Sequence, residues 1–88
     1  MPTVFIPALL RNLTSGRDSV KVPGDTVRQV IDNLDLQFPG IKARLMDGSD
    51  LKKGLTVAIG SQIANRGLRE LVPENSEVHF VLAISGGA

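Results

Sequence analysis

The 88-residue chain has no cysteine, no tryptophan and no tyrosine, and only one histidine. Without cysteine there is no disulfide, no thiolate nucleophile and no cysteine-based metal site. Three phenylalanines are the whole aromatic complement, which leaves few platforms for stacking nucleic-acid bases. A net charge of +1 provides no basic field to hold nucleic acid or anionic lipid. No basic segment leads into an uninterrupted apolar stretch, so no signal peptide or membrane span is expected, and the chain reads as cytoplasmic.

Catalytic machinery is equally scarce. His79 sits mid-strand among apolar neighbours, with no nucleophile or carboxylate motif beside it, and a general base needs a positioned partner. Asp47, Asp50 and Lys52 lack calcium-loop spacing and read as a solvated turn. Gly24, Gly40, Gly48 and Gly54 are scattered at turns and form no phosphate-binding cluster. Asp18, Glu70, Glu74 and Glu77 are acids with no spacing that pairs them, and Arg66, Arg69 and Glu70 read as an exposed helical face. The expectation is a protein that is not an enzyme and that binds no metal or cofactor of its own.

What is present is one small folded domain: 42% hydrophobic and 22% charged residues are ordinary globular values. Thr3-Val4-Phe5-Ile6 is β-branched and aromatic, with Val4 and Ile6 on one face and Thr3 and Phe5 on the other. Ala8 to Leu13 fits a short helical turn or an irregular apolar segment, and Thr14-Ser15-Gly16 is turn chemistry. Asp18 to Val22 makes a second strand and a hairpin with the first, Val20 and Val22 inward. Pro23-Gly24-Asp25-Thr26 is a helix-start signal, and Val27, Val30, Ile31, Leu34 and Phe38 then recur at helical spacing. Phe38-Pro39-Gly40 stops that helix.

One or two further helical turns are expected over Ile41 to Met46, ended by Asp47-Gly48-Ser49-Asp50, with Lys52-Lys53-Gly54 a loop. Leu55 to Ile59 alternates as a third strand, Gln62-Ile63 is a short extended piece, and Asn65 to Leu71 allows a surface helical turn. After the tight turn Pro73-Glu74-Asn75-Ser76, Glu77 to Ile84 is the longest apolar run and should be central in the sheet. A hairpin crossed by one helix, followed by returning strands, is a two-layer α+β fold. With the last strand parallel to the first it is a β-grasp, the ubiquitin-like roll: a mixed sheet of four to five strands crossed by one main helix. The domain is expected over residues 1–84, with 85–88 as a flexible tail.

That tail, Ser85-Gly86-Gly87-Ala88, is the feature with most functional content. Two glycines after a strand have no Cβ and no bulk, so they can be threaded into a narrow channel of another protein; a frayed terminus is the plainer reading. If Val78, Phe80, Leu82 and Ile84 point inward, His79, Val81 and Ala83 point outward, and Phe5 shares that face. These residues fit a docking patch or the scattered apolar residues that any surface carries.

Val78-His79-Phe80-Val81-Leu82 running into Gly86-Gly87 resembles the end of ubiquitin, and more strongly that of the ThiS/MoaD superfamily of prokaryotic sulfur carriers. Val4 to Arg11, Gly24-Asp25-Thr26-Val27 and Pro39 to Asp47 resemble its CysO-type subgroup, which serves cysteine synthesis, and the similar segments run in order along essentially the whole chain. The resemblance implies a carrier whose Gly87 carboxylate is adenylated with ATP by an E1-like enzyme and then converted to a thiocarboxylate. Gly86 would thread the partner's tunnel, and the partner would bind the sheet face, where the strand alternation puts the docking candidates Phe5, His79 and Val81. The sulfur would ride on the chain terminus and pass to an acceptor synthase for cysteine or homocysteine synthesis. Family members commonly stop at the second glycine, whereas here Ala88 follows, so a JAMM-type zinc metalloprotease is expected to cleave between Gly87 and Ala88. A molybdopterin synthase small subunit, a thiamin sulfur carrier, a ubiquitin-like protein modifier and a β-grasp binding module with an inert tail are the alternatives.

Overall fold

The computed structural model describes residues 1–82, and for Leu82 the backbone only. The expected domain limit at residue 84 and the tail residues Gly86, Gly87 and Ala88 lie outside the described residues.

The first strand, β1 (Thr3–Phe5), pairs antiparallel with β2 (Ser19–Lys21) through the predicted hairpin. Between them Ala8–Thr14 winds as a 3₁₀ helix, tighter and longer than a single turn. Thr14 at its end is fully buried, and its hydroxyl lies 2.8 Å from the Arg17 carbonyl and 3.2 Å from the Arg11 carbonyl. Turn chemistry explains the residue type at this position, but its burial is a tertiary result.

The main helix, α1 (Val27–Gln37), starts where the capping signal places it. The Gln29 N–H donates to Thr26 Oγ1 at 3.3 Å, while the Asp25 N–H donates to Gln29 Oε1 at 2.9 Å. The first bond satisfies a donor that the first turn cannot pair internally, and the second ties the preceding loop to the helix start. Val27, Val30, Ile31 and Leu34 are all fully buried. At about 1.5–3 kcal/mol for each fully buried aliphatic side chain, they supply roughly 6–12 kcal/mol of gross stabilisation, before conformational entropy is subtracted. Asp35 then organises the turn into α2 (Ile41–Leu45), accepting the Gly40 and Lys42 N–H groups at 3.1 Å each.

The next segment departs from the expectation of a simple solvated turn. Met46–Asp47 and Asp50–Leu51 pair as β3 and β4, a separate two-stranded antiparallel hairpin. Gly48, with φ of 70°, takes the left-handed conformation that so short a connection requires. Each strand is only two residues long, too short for alternation to be legible in the sequence.

β5 (Leu55–Ile59), β6 (Gln62–Ile63) and β7 (Glu77–Leu82) complete the main sheet, whose order is β2-β1-β7-β5-β6. β7 is central, parallel to β1 and antiparallel to β5. This is the mixed five-stranded β-grasp sheet expected from the element order. Val4, Ile6, Val20, Val22, Leu55, Val57, Val78 and Phe80 turn inward and form one core with α1 and α2. Between β6 and β7, Gly67–Arg69 forms a short 3₁₀ turn around the buried Leu68.

Candidate functional site

The helices cover one face of the sheet, and the other face is built by strand register. Phe5 on β1 stands opposite His79 on β7, and His79 stands opposite Ala58 on β5. Ala58 in turn faces Ile63 on β6, and Phe5 faces Ser19 on β2. Directly opposed residues share a face, so Ser19, Phe5, His79, Ala58 and Ile63 form one row across all five strands of the outer surface. Val81, two residues beyond His79, is on the same face opposite Thr56 and is 49% exposed. Ile63 is 56% exposed.

Phe5 and His79 do more than share a face. Their rings stack in parallel, 4.5 Å between centroids and 5° between planes. Glu77, two residues earlier on the same face, holds Oε1 3.3 Å from His79 Nε2. Stacking on one side and a carboxylate at the edge restrict the imidazole, so part of the entropy of ordering this patch is spent before any partner arrives. Among the described residues, no group of three or more His, Asp or Glu side chains is placed to hold a metal ion, and no helix is long and apolar enough to cross a membrane.

The structure thus brings together Phe5 and His79, with Val81 beside them on the same surface, as strand alternation implied. The contact between the two rings was not legible, because it depends on the parallel register of strands at opposite ends of the chain. Ala58 and Ile63 were missed as members of the row, although the outward phase of Ala58 follows from the alternation of Leu55, Val57 and Ile59. The last described residue of β7, Leu82, pairs with Leu55 on β5.

A parallel pairing of β1 with β7, one long helix on the inner face and an outer face that no helix covers among the described residues place the chain among the ubiquitin-like β-grasp proteins. The ThiS family model matches residues 4–87, and the chain belongs to that family. It is 33% identical over 90 aligned residues to sulfur carrier protein CysO of Mycobacterium tuberculosis strain H37Rv, with 97% of each chain covered. A chain of the Amycolatopsis orientalis BexX/CysO complex superposes with a TM-score of 0.92 at 32% identity, covering 99% of this chain and 100% of that one. The crystal structure of Mycobacterium tuberculosis CysO gives 0.89 at 31% identity, over 96% and 100% of the respective chains. The protein is therefore a sulfur carrier of the CysO kind and is not itself a catalyst.

Proposed function

We propose that this carrier holds sulfur for cysteine biosynthesis as a thiocarboxylate on Gly87. The observation that carries the reading is the extent of the family match, which runs through Gly86 and Gly87 and stops before Ala88. The chain has no thiol of its own, so a sulfur cargo is best accommodated on a main-chain carboxyl group. An E1-like enzyme with ATP converts the Gly87 carboxylate to an acyl-adenylate and releases pyrophosphate. A sulfide-level donor then displaces AMP at the same carbonyl, and an acceptor synthase takes the sulfur. Homocysteine synthesis would use the same tail chemistry.

While Ala88 follows it, the Gly87 carbonyl is part of a peptide bond and has no carboxylate to adenylate. A JAMM-type zinc metalloprotease hydrolysing the Gly87–Ala88 bond supplies the free carboxylate. Gly86 and Gly87 suit passage through a narrow channel, where a Cβ would meet the wall. Phe5, His79 and Val81 form the face that partners grip, and the stacked pair is its centre. A complex between a carrier and a partner has a precedent in BexX/CysO. The domain proper ends before Ser85, leaving residues 85–88 as the reactive tail, and the carrier acts in the cytoplasm.

The test is the intact mass of the protein recovered from the cells that make it, with its C-terminal peptide sequenced. A chain ending at Gly87, part of it bearing a thiocarboxylate or one added amino acid, is the expected result. A chain retaining the Gly87–Ala88 bond in every growth condition, sulfur starvation included, would overturn the reading. Isopeptide conjugates to lysines in place of a thiocarboxylate would instead make the protein a modifier.

A further inference from the structure

On the helix side of the sheet, away from the Phe5–His79 row, an open surface groove of about 560 Å³ is lined by the exposed side chains of Arg28, Ser49, Asp50, Arg66 and Arg69, with Gly67 and Leu68. Its positive groups come from separate parts of the chain: Arg28 from the first turn of α1, and Arg66 and Arg69 from the 3₁₀ turn before β7. Main-chain bonds clamp these parts together. The Val27 N–H donates to the Glu70 carbonyl at 3.0 Å, and the Val72 N–H donates to the Asp25 carbonyl at 2.8 Å. The buried Leu68 anchors the turn from below.

None of the three guanidinium groups has an ion-pair partner among the described residues. The one carboxylate in the lining, Asp50, already accepts the Leu51 N–H at 2.8 Å through Oδ1. Glu70, next in the turn, holds Oε1 3.4 Å from the Arg66 N–H, so three cations stand against two carboxylates and leave one net positive charge, to which the positive end of the α1 dipole adds. The Ser49 hydroxyl adds a neutral donor. Planar guanidinium forks match tetrahedral oxyanions with paired hydrogen bonds.

We propose that this groove binds a small phosphoryl-bearing anion through Arg28, Arg66 and Arg69. The site is independent of the carrier reading and leaves the outer sheet face free, so anion and docked partner can be held together.

The experiment is a titration of the full-length, isotope-labelled protein with inorganic pyrophosphate, followed by amide and arginine side-chain NMR signals. Saturable shifts confined to residues 28, 49–50 and 66–69 are expected, weakening as salt is added. The triple variant R28Q/R66Q/R69Q should bind at least about tenfold more weakly, since one charge-assisted hydrogen bond is already of that order. Asp50→Asn, which removes one opposing charge without emptying the groove, should tighten binding a few-fold, an outcome that no folding defect would mimic. Shifts of equal size at Lys52 and Lys53, unsaturable shifts, or unchanged affinity in the triple variant would overturn the site. Tighter binding of a phosphoserine peptide than of pyrophosphate would overturn its assignment to a small molecule.

Discussion

Gly24 precedes α1 with φ of 154°, a conformation that L side chains rarely adopt. A Cβ placed there would lie 2.8 Å from both the backbone nitrogen and Cγ2 of Val30, and 3.1 Å from Val30 Cα. The backbone atoms cannot rotate away as a side-chain end would. Val30 is fully buried, and its N–H donates to the Thr26 carbonyl at 3.0 Å. The Asn33 side chain also donates to the Pro23 carbonyl at 2.8 Å, tying the loop to the helix. Relief of the clash therefore requires moving the loop away from α1 and loosening the cap. Backbone strain of about 1–3 kcal/mol adds to overpacking of about 1–3 kcal/mol. Gly24→Ala should thus destabilise the domain by roughly 2–6 kcal/mol. For a domain of this size that lowers Tm by about 10 °C or more. Circular dichroism melts and urea titrations measure the loss. Gly16→Ala is the internal control: φ there is 84°, but nothing lies within 4 Å of the added Cβ, so strain acts alone at about 1 kcal/mol. If Gly24→Ala loses no more stability than Gly16→Ala, the close approach to Val30 does not constrain the fold and the reasoning fails.

Other substitutions probe the polar interior and the outer face. Thr14→Val keeps the side-chain volume and removes the hydroxyl, leaving the Arg17 carbonyl without its buried donor. A loss of about 1–3 kcal/mol is expected, read as a lower urea midpoint with unchanged slope, and an unshifted midpoint would refute the role of that bond. Phe5→Ala and His79→Ala remove the stacked pair from an accessible surface, so each should change stability by no more than about 1 kcal/mol. Binding to the proposed E1-like adenylating enzyme, measured by calorimetry, should fall by about 30-fold or more if the pair is the centre of the interface. Leu36→Ser, at an exposed position on α1, should leave that binding unchanged, and an equal loss there would move the interface to the helix face.

Much of this molecule follows from local sequence. The Val27, Val30, Ile31, Leu34 stripe is a 3.6-residue period that needs no knowledge of the rest of the chain, and Thr26 is a cap because a β-region residue with a side-chain oxygen satisfies free N–H groups. Alternation assigned Phe5, His79 and Val81 to the outer face because side chains in a strand have a period of two. The glycines and Ala88 of the tail carry their chemical implication in sequence alone: an amide carbonyl is not a carboxylate in any fold.

Tertiary structure decided what depends on distant partners. The stacking of Phe5 on His79 required the parallel β1–β7 register, which is set by burying Val4 and Val78 on the inner face, since a slip of one residue would turn both strands inside out. The β3–β4 hairpin arose over strands too short to show a period, held where Leu45 and Leu51 meet the core. Thr14 became buried only when the chain on either side of it closed around its hydroxyl. Arg28 reached Arg66 and Arg69 only because main-chain bonds draw the turn before β7 against the start of α1. Periodicity is a property of neighbours along the chain, whereas register and convergence are chosen by the core as a whole.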